Sequence, residues 1–256
     1  MNTLSSNQLK QVTKLQQKKF REEEKKFFVE GFRGVEEAIN SDWEIEMLIT
    51  TAKSYSSDMG GKVFSAATKK RILPFEISEK EFAKLSDTEN AQGILAIVHQ
   101  KNFQLNAQNS LLYALRSTLI AFDSVNDPGN LGTMLRTCDW FGVDGILLGK
   151  NCVELFNPKV VRASMGAIFH LPIFVEQDLG KEIPTLKENG FHVATATVHA
   201  KNHCLKFPFL KNLSSFSETK RTEFLLHWKN FPIYNFPFRN LENRNRSMLR
   251  RRAHRY

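Results

Sequence analysis

No apolar run in the chain approaches the roughly 20 residues that a membrane-spanning helix needs. Met1 to Gln17 is polar and lacks the apolar centre of a secretory leader. The expectation is a cytoplasmic protein with no membrane partner. Cysteine is scarce: Cys138, Cys152 and Cys204 have neither the even count of a disulfide framework nor the spacing of a zinc site. His170, His192, His199 and His203 show no ligand spacing either, so no metal is expected and the histidines read as satisfied core or surface residues. Neither a Gly-x-Gly-x-x-Gly turn nor a phosphate-binding loop is present, which leaves a nucleotide-binding α/β enzyme of those types without support.

What is present is a globular composition, 41% apolar and 25% charged, in 256 residues, enough for two domains with separate cores. A net charge of +9 would ordinarily point to a polyanionic partner, but it is unevenly placed. Residues 215 to 256 hold ten Lys or Arg against three Glu, so +7 sits there and residues 1 to 214 carry only +2. The basic balance therefore says little about the main body.

Ser5 to Lys26 reads as one surface helix, with Leu9, Val12 and Leu15 at helical spacing and Lys10, Lys14, Lys18, Lys19 and Arg21 on other faces. Strands are expected at Phe27 to Gly31, Glu46 to Thr50, Ile72 to Phe75 and Gly93 to Val98, with helices near Gly34 to Asn40 and Glu79 to Leu85. That alternation makes a small α/β domain over residues 1–100, with residues 101–112 as an Asn- and Gln-rich linker. A stronger βα rhythm fills 113–214. Strands at Ser117 to Phe122, Gly145 to Leu148, Leu171 to Val175 and His192 to Ala196 alternate with helices at Leu131 to Phe141, Val160 to Gly166 and Ile183 to Asn189. Such a chain makes a parallel sheet, whose ligands lie at the carboxyl ends of its strands.

Two blocks follow strands at that edge. Asp127-Pro128-Gly129-Asn130 is a tight turn leading into a helix that bears Arg136. Asn130 can cap that helix or face a ligand. Arg136 comes about 240° round the axis from Asn130, so only a bent entry lets both face one site. The second block, Asn157-Pro158-Lys159-Val160-Val161-Arg162-Ala163-Ser164-Met165-Gly166, sets polar groups and a cation on a helix of small residues.

Together the blocks resemble the first two motifs of SpoU/TrmH-type enzymes in the SPOUT superfamily of RNA methyltransferases: Asn-x-x-x-x-x-Arg after Asp-Pro-Gly, then Asn-Pro-Lys-x-x-Arg-x-Ser-x-Gly. The resemblance spans about residues 5 to 210. It includes Phe28-Val29-Glu30-Gly31 and Gln92-Gly93-Ile94-Leu95 in a domain similar to the family's ribosomal-protein-like substrate-binding domain. It implies an S-adenosyl-L-methionine donor, a ribose 2′-hydroxyl acceptor in ribosomal or transfer RNA, a homodimer and a trefoil knot in the second domain. By the same resemblance Arg136 and Asn130 are catalytic, and Asn126 shapes their pocket. RNA contacts are implied for Asn126, Asn157, Lys159, Arg162 and Ser164, and cofactor contacts for Thr195, Ala196 and Thr197. The residues alone leave alternatives open: a surface salt bridge for Arg136, plain solvation for Arg162 and Ser164, and a β-branched strand end for Thr195 to Thr197. A guanidinium stays protonated, so the work open to Arg136 is orienting phosphate or ribose and stabilising a developing alkoxide.

The family's third motif, Gly-Asn-Glu-x-x-Gly, Ile-Pro and Glu-Ser-Leu-Asn, is missing from residues 215–256, which show no sustained helical or strand period. Reading the third base of each codon with the first two of the next recovers it. Ser217 to Glu223 then permits Gly-Asn-Glu-Ala-Asn-Gly. His227-Trp228-Lys229 must give Leu-Glu, because tryptophan has one codon. Pro232 to Phe238 permits Asp-Ile-Gln-Leu-Pro-Ile, and Leu241 to Leu249 permits Gly-Lys-Ser-Glu-Ser-Leu-Asn. Residues 215–256 thus read as the product of a shifted frame, with the switch between Lys206 and Ser215, the donor pocket and knot incomplete, and activity impaired. The competing reading is a non-catalytic RNA-binding protein whose Arg250-Arg251-Arg252 tail is a basic arm.

Overall fold

The computed structural model describes residues 2–105, 118–196 and 223–228. The first part comprises β1 (Asn2–Thr3), α1 (Ser6–Lys14), α2 (Lys18–Glu24), β2 (Lys26–Glu30), α3 (Phe32–Asn40) and β3 (Ile45–Thr50). It continues through α4 (Ala52–Tyr55), α5 (Asp58–Lys69), β4 (Pro74–Glu76), α6 (Glu79–Phe82) and β5 (Ile94–His99). Its five strands form one sheet in the order β1-β4-β3-β5-β2. One face is sealed by Val12 and Leu15 of the first helical segment together with Phe28, Ile49, Phe82, Leu85 and Leu95.

The second part comprises β6 (Thr118–Asp123), α7 (Pro128–Phe141), β7 (Gly145–Gly149) and α8 (Pro158–Ser164). A 3-10 turn at Ala167–Phe169 leads to β8 (Ile173–Gln177), α9 (Leu179–Glu188) and β9 (His192–Ala196). β10 (Glu223–Trp228) completes a sheet ordered β8-β7-β6-β10-β9. β6, β7 and β8 pair in parallel, as the alternating pattern requires. Leu119, Ala121, Leu147 and Phe174 pack beneath Leu186 and Phe191, and Phe103 and Leu105 join that core, so part of the expected linker is packed. The knot segments and Thr197 lie outside the described residues.

Three expectations need correction. The single surface helix is two helices, because the chain breaks after Lys14 so that Arg21 can turn back on it. Its Nη1 donates to the carbonyls of Leu15 and Gln16, and Gln16 donates to those of Lys84 and Leu85. Arg21 is 2% exposed, not a solvated cation. Second, α4 and α5 were not anticipated: Gly60 and Gly61 in the first turn of α5 weaken the helical signal, and capping by Thr51 and Ser57 restores it. Third, the segment without a strand period does supply a strand, β10, which runs antiparallel to both β6 and β9.

Arg21 also donates through Nε and Nη2 to both carboxylate oxygens of Glu154, at 2.8 and 2.5 Å. The pair ties the helix before β2 to the loop that precedes α8. With side-chain exposures of 3% and 13% it is screened little by water. Arg21→Ala strands a buried carboxylate, so we expect a loss of about 3–5 kcal/mol in denaturant unfolding. Replacing both partners with apolar residues should recover most of it. An R21A chain unfolding at the parent midpoint would show that the pair contributes nothing.

Candidate functional site

The first block forms as turn chemistry dictates, with one change. β6 ends at Asp123, Ser124 takes a left-handed conformation (φ 56°), and Asp127 caps α7, its side chain accepting the Asn130 N–H at 2.6 Å. Pro128 follows at the first helical position, where its missing N–H is harmless, and Gly142 ends the helix in the left-handed region. Asn130 is thus not the cap. It lies exposed inside the first turn, near the exposed Asn126. The helix is regular from Pro128 onward, so its entry is not bent and it does not bring Asn130 and Arg136 onto one face. Arg136 instead shares an exposed face with Thr133 and Trp140, the indole being 61% exposed. Arg136 makes no hydrogen bond or ion pair among the described residues, so the surface salt bridge is not formed there.

In the second block, Asn157 caps α8 by accepting the Lys159 N–H at 2.9 Å, which commits its amide oxygen to the helix. Lys159 is exposed. Ser164 is fully buried and its hydroxyl donates to the Val161 carbonyl at 2.7 Å, so helix packing uses it and RNA contact by its side chain does not fit. Arg162 faces the first sheet, with Nη1 3.4 Å from Glu30. α7 and α8 meet at Gly132, where an added Cβ would run into Ala163 and the Val160 carbonyl. Only glycine lets the two motif-bearing helices approach so closely.

At the carboxyl edge the two loops are hydrogen-bonded to each other. The Val153 N–H donates to the Val125 carbonyl at 2.8 Å, and the Cys152 thiol reaches the Phe122 carbonyl at 3.2 Å. Ser124 donates to Asp123 at 3.1 Å, and the space above Gly149 is taken by Leu179 and Asp123. Thr195 and Ala196 do end a strand there, but β10 covers its edge, setting Leu225 beside Thr195 and Phe224 beside Ala196. Thr197 and the segments that follow it towards a donor site lie outside the described residues.

Neither cysteine with described surroundings is suited to nucleophilic work. Burial pushes the Cys152 thiol up, and burial, aided by the charge of Asp139, pushes Cys138 from 9.0 to about 12. The unfolded chain therefore gives up the Cys138 proton at lower pH than the folded one. Stability should fall as pH rises above about 9.0 and continue falling towards about 12. Comparing unfolding midpoints at successive pH values with those of Cys138→Ala checks this. Parallel pH profiles would contradict it.

Residues 117–219 match the SpoU rRNA Methylase family, and residues 6–96 match the MRM3-like substrate binding domain. The 23S rRNA (guanosine(2553)-2'-O)-methyltransferase RlmP of Bacillus subtilis is 31% identical over 194 residues, covering 75% of this chain and 71% of that protein. The mitochondrial rRNA methyltransferase 3 of Xenopus laevis is 32% identical, covering 66% of this chain but 39% of the longer relative. Among solved structures, the AdoMet-bound rRNA methyltransferase from Sinorhizobium meliloti superposes with a TM-score of 0.61 at 28% identity, over 74% of this chain and 69% of that one. The paired helices α7 and α8, the parallel strands beneath them and this likeness over most of a relative's length lead to one conclusion: the chain belongs to the SpoU methylase family of RNA methyltransferases.

Proposed function

We propose that the chain has the architecture of an S-adenosyl-L-methionine-dependent enzyme that methylates a ribose 2′-hydroxyl of cytoplasmic ribosomal or transfer RNA, and that as written it engages RNA without efficient methyl transfer. The observation that carries the reading is the face-to-face packing of α7 and α8, which leaves Arg136 exposed and unpaired among the described residues beside the carboxyl edge. A free guanidinium is suited to a phosphate or to an oxygen gaining negative charge. Asn126, Asn130, Asn157 and Lys159 lie exposed or part-exposed on the two loops and helix starts, where they can contact RNA. Arg162 belongs to the same RNA-facing set only through the groups that Glu30 leaves unused. Thr195, Ala196 and Thr197 are the donor-side residues of the complete enzyme. The exposed Trp140 and Phe141 beside Arg136 support a homodimer through this face of α7.

The impairment is supported by the missing third motif in residues 215–256. It leaves the rival reading, an RNA-binding protein without catalysis, as a description of the same chain in its present form. Calorimetry with S-adenosylmethionine and a tritium-transfer assay on ribosomal and transfer RNA test it. We expect salt-sensitive RNA binding, no measurable donor binding and no label in RNA. Normal turnover would refute the impairment, and absence of RNA binding at low salt would refute the proposed function.

A further inference from the structure

A cavity of about 200 Å³ lies between the first sheet and α8. None of Asn126, Asn130, Arg136 and Asn157 lines it. Its floor is apolar and buried, made by Val29, Val161 and Phe169. Met165, 38% exposed, lines it from the end of α8, held there in a left-handed conformation (φ 52°). The rim is of another kind. Arg33 is exposed and makes no ion pair among the described residues. Among the described residues Arg162 spends Nη1 alone, in a 3.4 Å contact with Glu30, and the rest of its N–H fork remains. The Glu30 carboxylate is already matched, since it also accepts from Ser86 at 2.5 Å and Thr88 at 2.9 Å. Asn90 and Gln92 add amide edges, and among the described residues Gln92 commits only its oxygen, to the Phe32 N–H at 2.8 Å.

From this juxtaposition we infer that the cavity receives one unpaired base of the RNA substrate, distinct from the nucleotide presented to Arg136, with the adjoining phosphate held by Arg33 and Arg162. The inference rests on the RNA-methyltransferase reading above and deepens it. Single-stranded RNA is recognised by bases splayed onto apolar or aromatic platforms and read at their edges by side-chain amides, with arginines on the backbone. The cavity falls below the roughly 300 Å³ at which small-molecule sites begin, which suits a single base with its ribose and phosphate outside. A duplex cannot present a stacked base to such a hole. The site therefore selects a loop or bulge, and it couples the first sheet to the second motif through Arg162.

The test uses the full chain and a hairpin RNA whose loop carries 4-thiouridine, with a fully paired duplex of equal length as reference. Photo-crosslinks should map to peptides containing Met165 and Phe169, or Asn90 and Gln92. Arg33→Ala should weaken hairpin binding and lower its salt slope by about one. Met165→Gly, which relieves the left-handed conformation while removing the platform, should weaken hairpin binding by about tenfold at undiminished thermal stability. Duplex binding should change far less with Met165→Gly. Crosslinks confined to other peptides, or a Met165→Gly chain that binds the hairpin as the parent does or loses hairpin and duplex equally, would overturn the base site while leaving RNA binding intact. Failure of the parent chain to bind either RNA would instead bring down the methyltransferase reading on which the site depends.

Discussion

Joined to the alternative reading frame at a point between Lys206 and Ser215, the same gene should yield a protein that binds S-adenosylmethionine and methylates RNA, where the present chain is expected to do neither. Each recovered triplet is weak by itself, because codon degeneracy permits many readings. Their order is not weak: Gly-Asn-Glu-x-x-Gly, Leu-Glu, Leu-Pro-Ile and Glu-Ser-Leu-Asn arise one after another from residues 217 to 249, and the Glu of Leu-Glu is forced by Trp228.

The sheet gives an independent reason to expect gain from the restored frame. β10 is antiparallel to both of its neighbours, so β6 and β9 run in the same direction with an opposed strand between them. In a βα chain that slot suits a parallel strand, whose carboxyl end would join the ligand-bearing edge and whose successor helix would cover the sheet. The recovered Gly-Asn-Glu, following a strand as in the family, supplies such an end. β10 instead brings Glu223, its amino end, beside Asp123. Misplacing reacting groups by about 1 Å already costs on the order of 100-fold in rate, so restoring the third motif should raise turnover by more than that. Donor binding by calorimetry and tritium transfer to ribosomal RNA are the readouts. A frame-restored protein no better than the present chain in both would show that the tail is natural and the frame argument mistaken.

Much of the second sheet was legible because its signals are local. Asp127-Pro128 and Asn157-Pro158 mark helix starts by cap and first-turn proline, Gly142 marks an end, and apolar runs such as Leu119 to Phe122 mark buried strands. What stayed hidden depends on partners distant in sequence. Nothing around Arg21 announces Glu154, 133 residues away, and without that carboxylate the break after Lys14 has no visible cause. Glu30 and Arg162, or the His170 ring set between Asp139 at 3.0 Å and Glu37 at 3.1 Å, are likewise invisible to periodicity. The motif implies RNA contact for Ser164, and plain solvation is the alternative its sequence leaves open. Its helix turns it inward, and a short hydroxyl can satisfy itself on the preceding turn. The separation of Asn130 and Arg136 was legible from helix geometry alone, and the regular helix keeps it: the two share a motif without sharing a helix face.

That separation makes the consequence of removing Arg136 specific. The side chain is exposed and bonded to nothing among the described residues, so Arg136→Ala should leave stability within about 0.5 kcal/mol, as for other unengaged surface positions. In the frame-restored enzyme the same change should lower turnover by about 100- to 1,000-fold, the loss that follows removal of one group aimed at developing charge. Donor affinity should not move. Arg136→Lys restores the charge without the planar fork, so substantial recovery would point to charge alone, and little recovery to paired hydrogen bonds with phosphate or ribose. Asn130→Ala should cost less, because Asn130 lies about 240° away around α7 and does not share the face of Arg136. Turnover of Arg136→Ala within a few-fold of the parent would remove Arg136 from the chemistry. The exposed face of Thr133, Arg136 and Trp140 would then be a surface for subunit contact alone, since an exposed indole beside an idle guanidinium answers that need without any reacting oxygen.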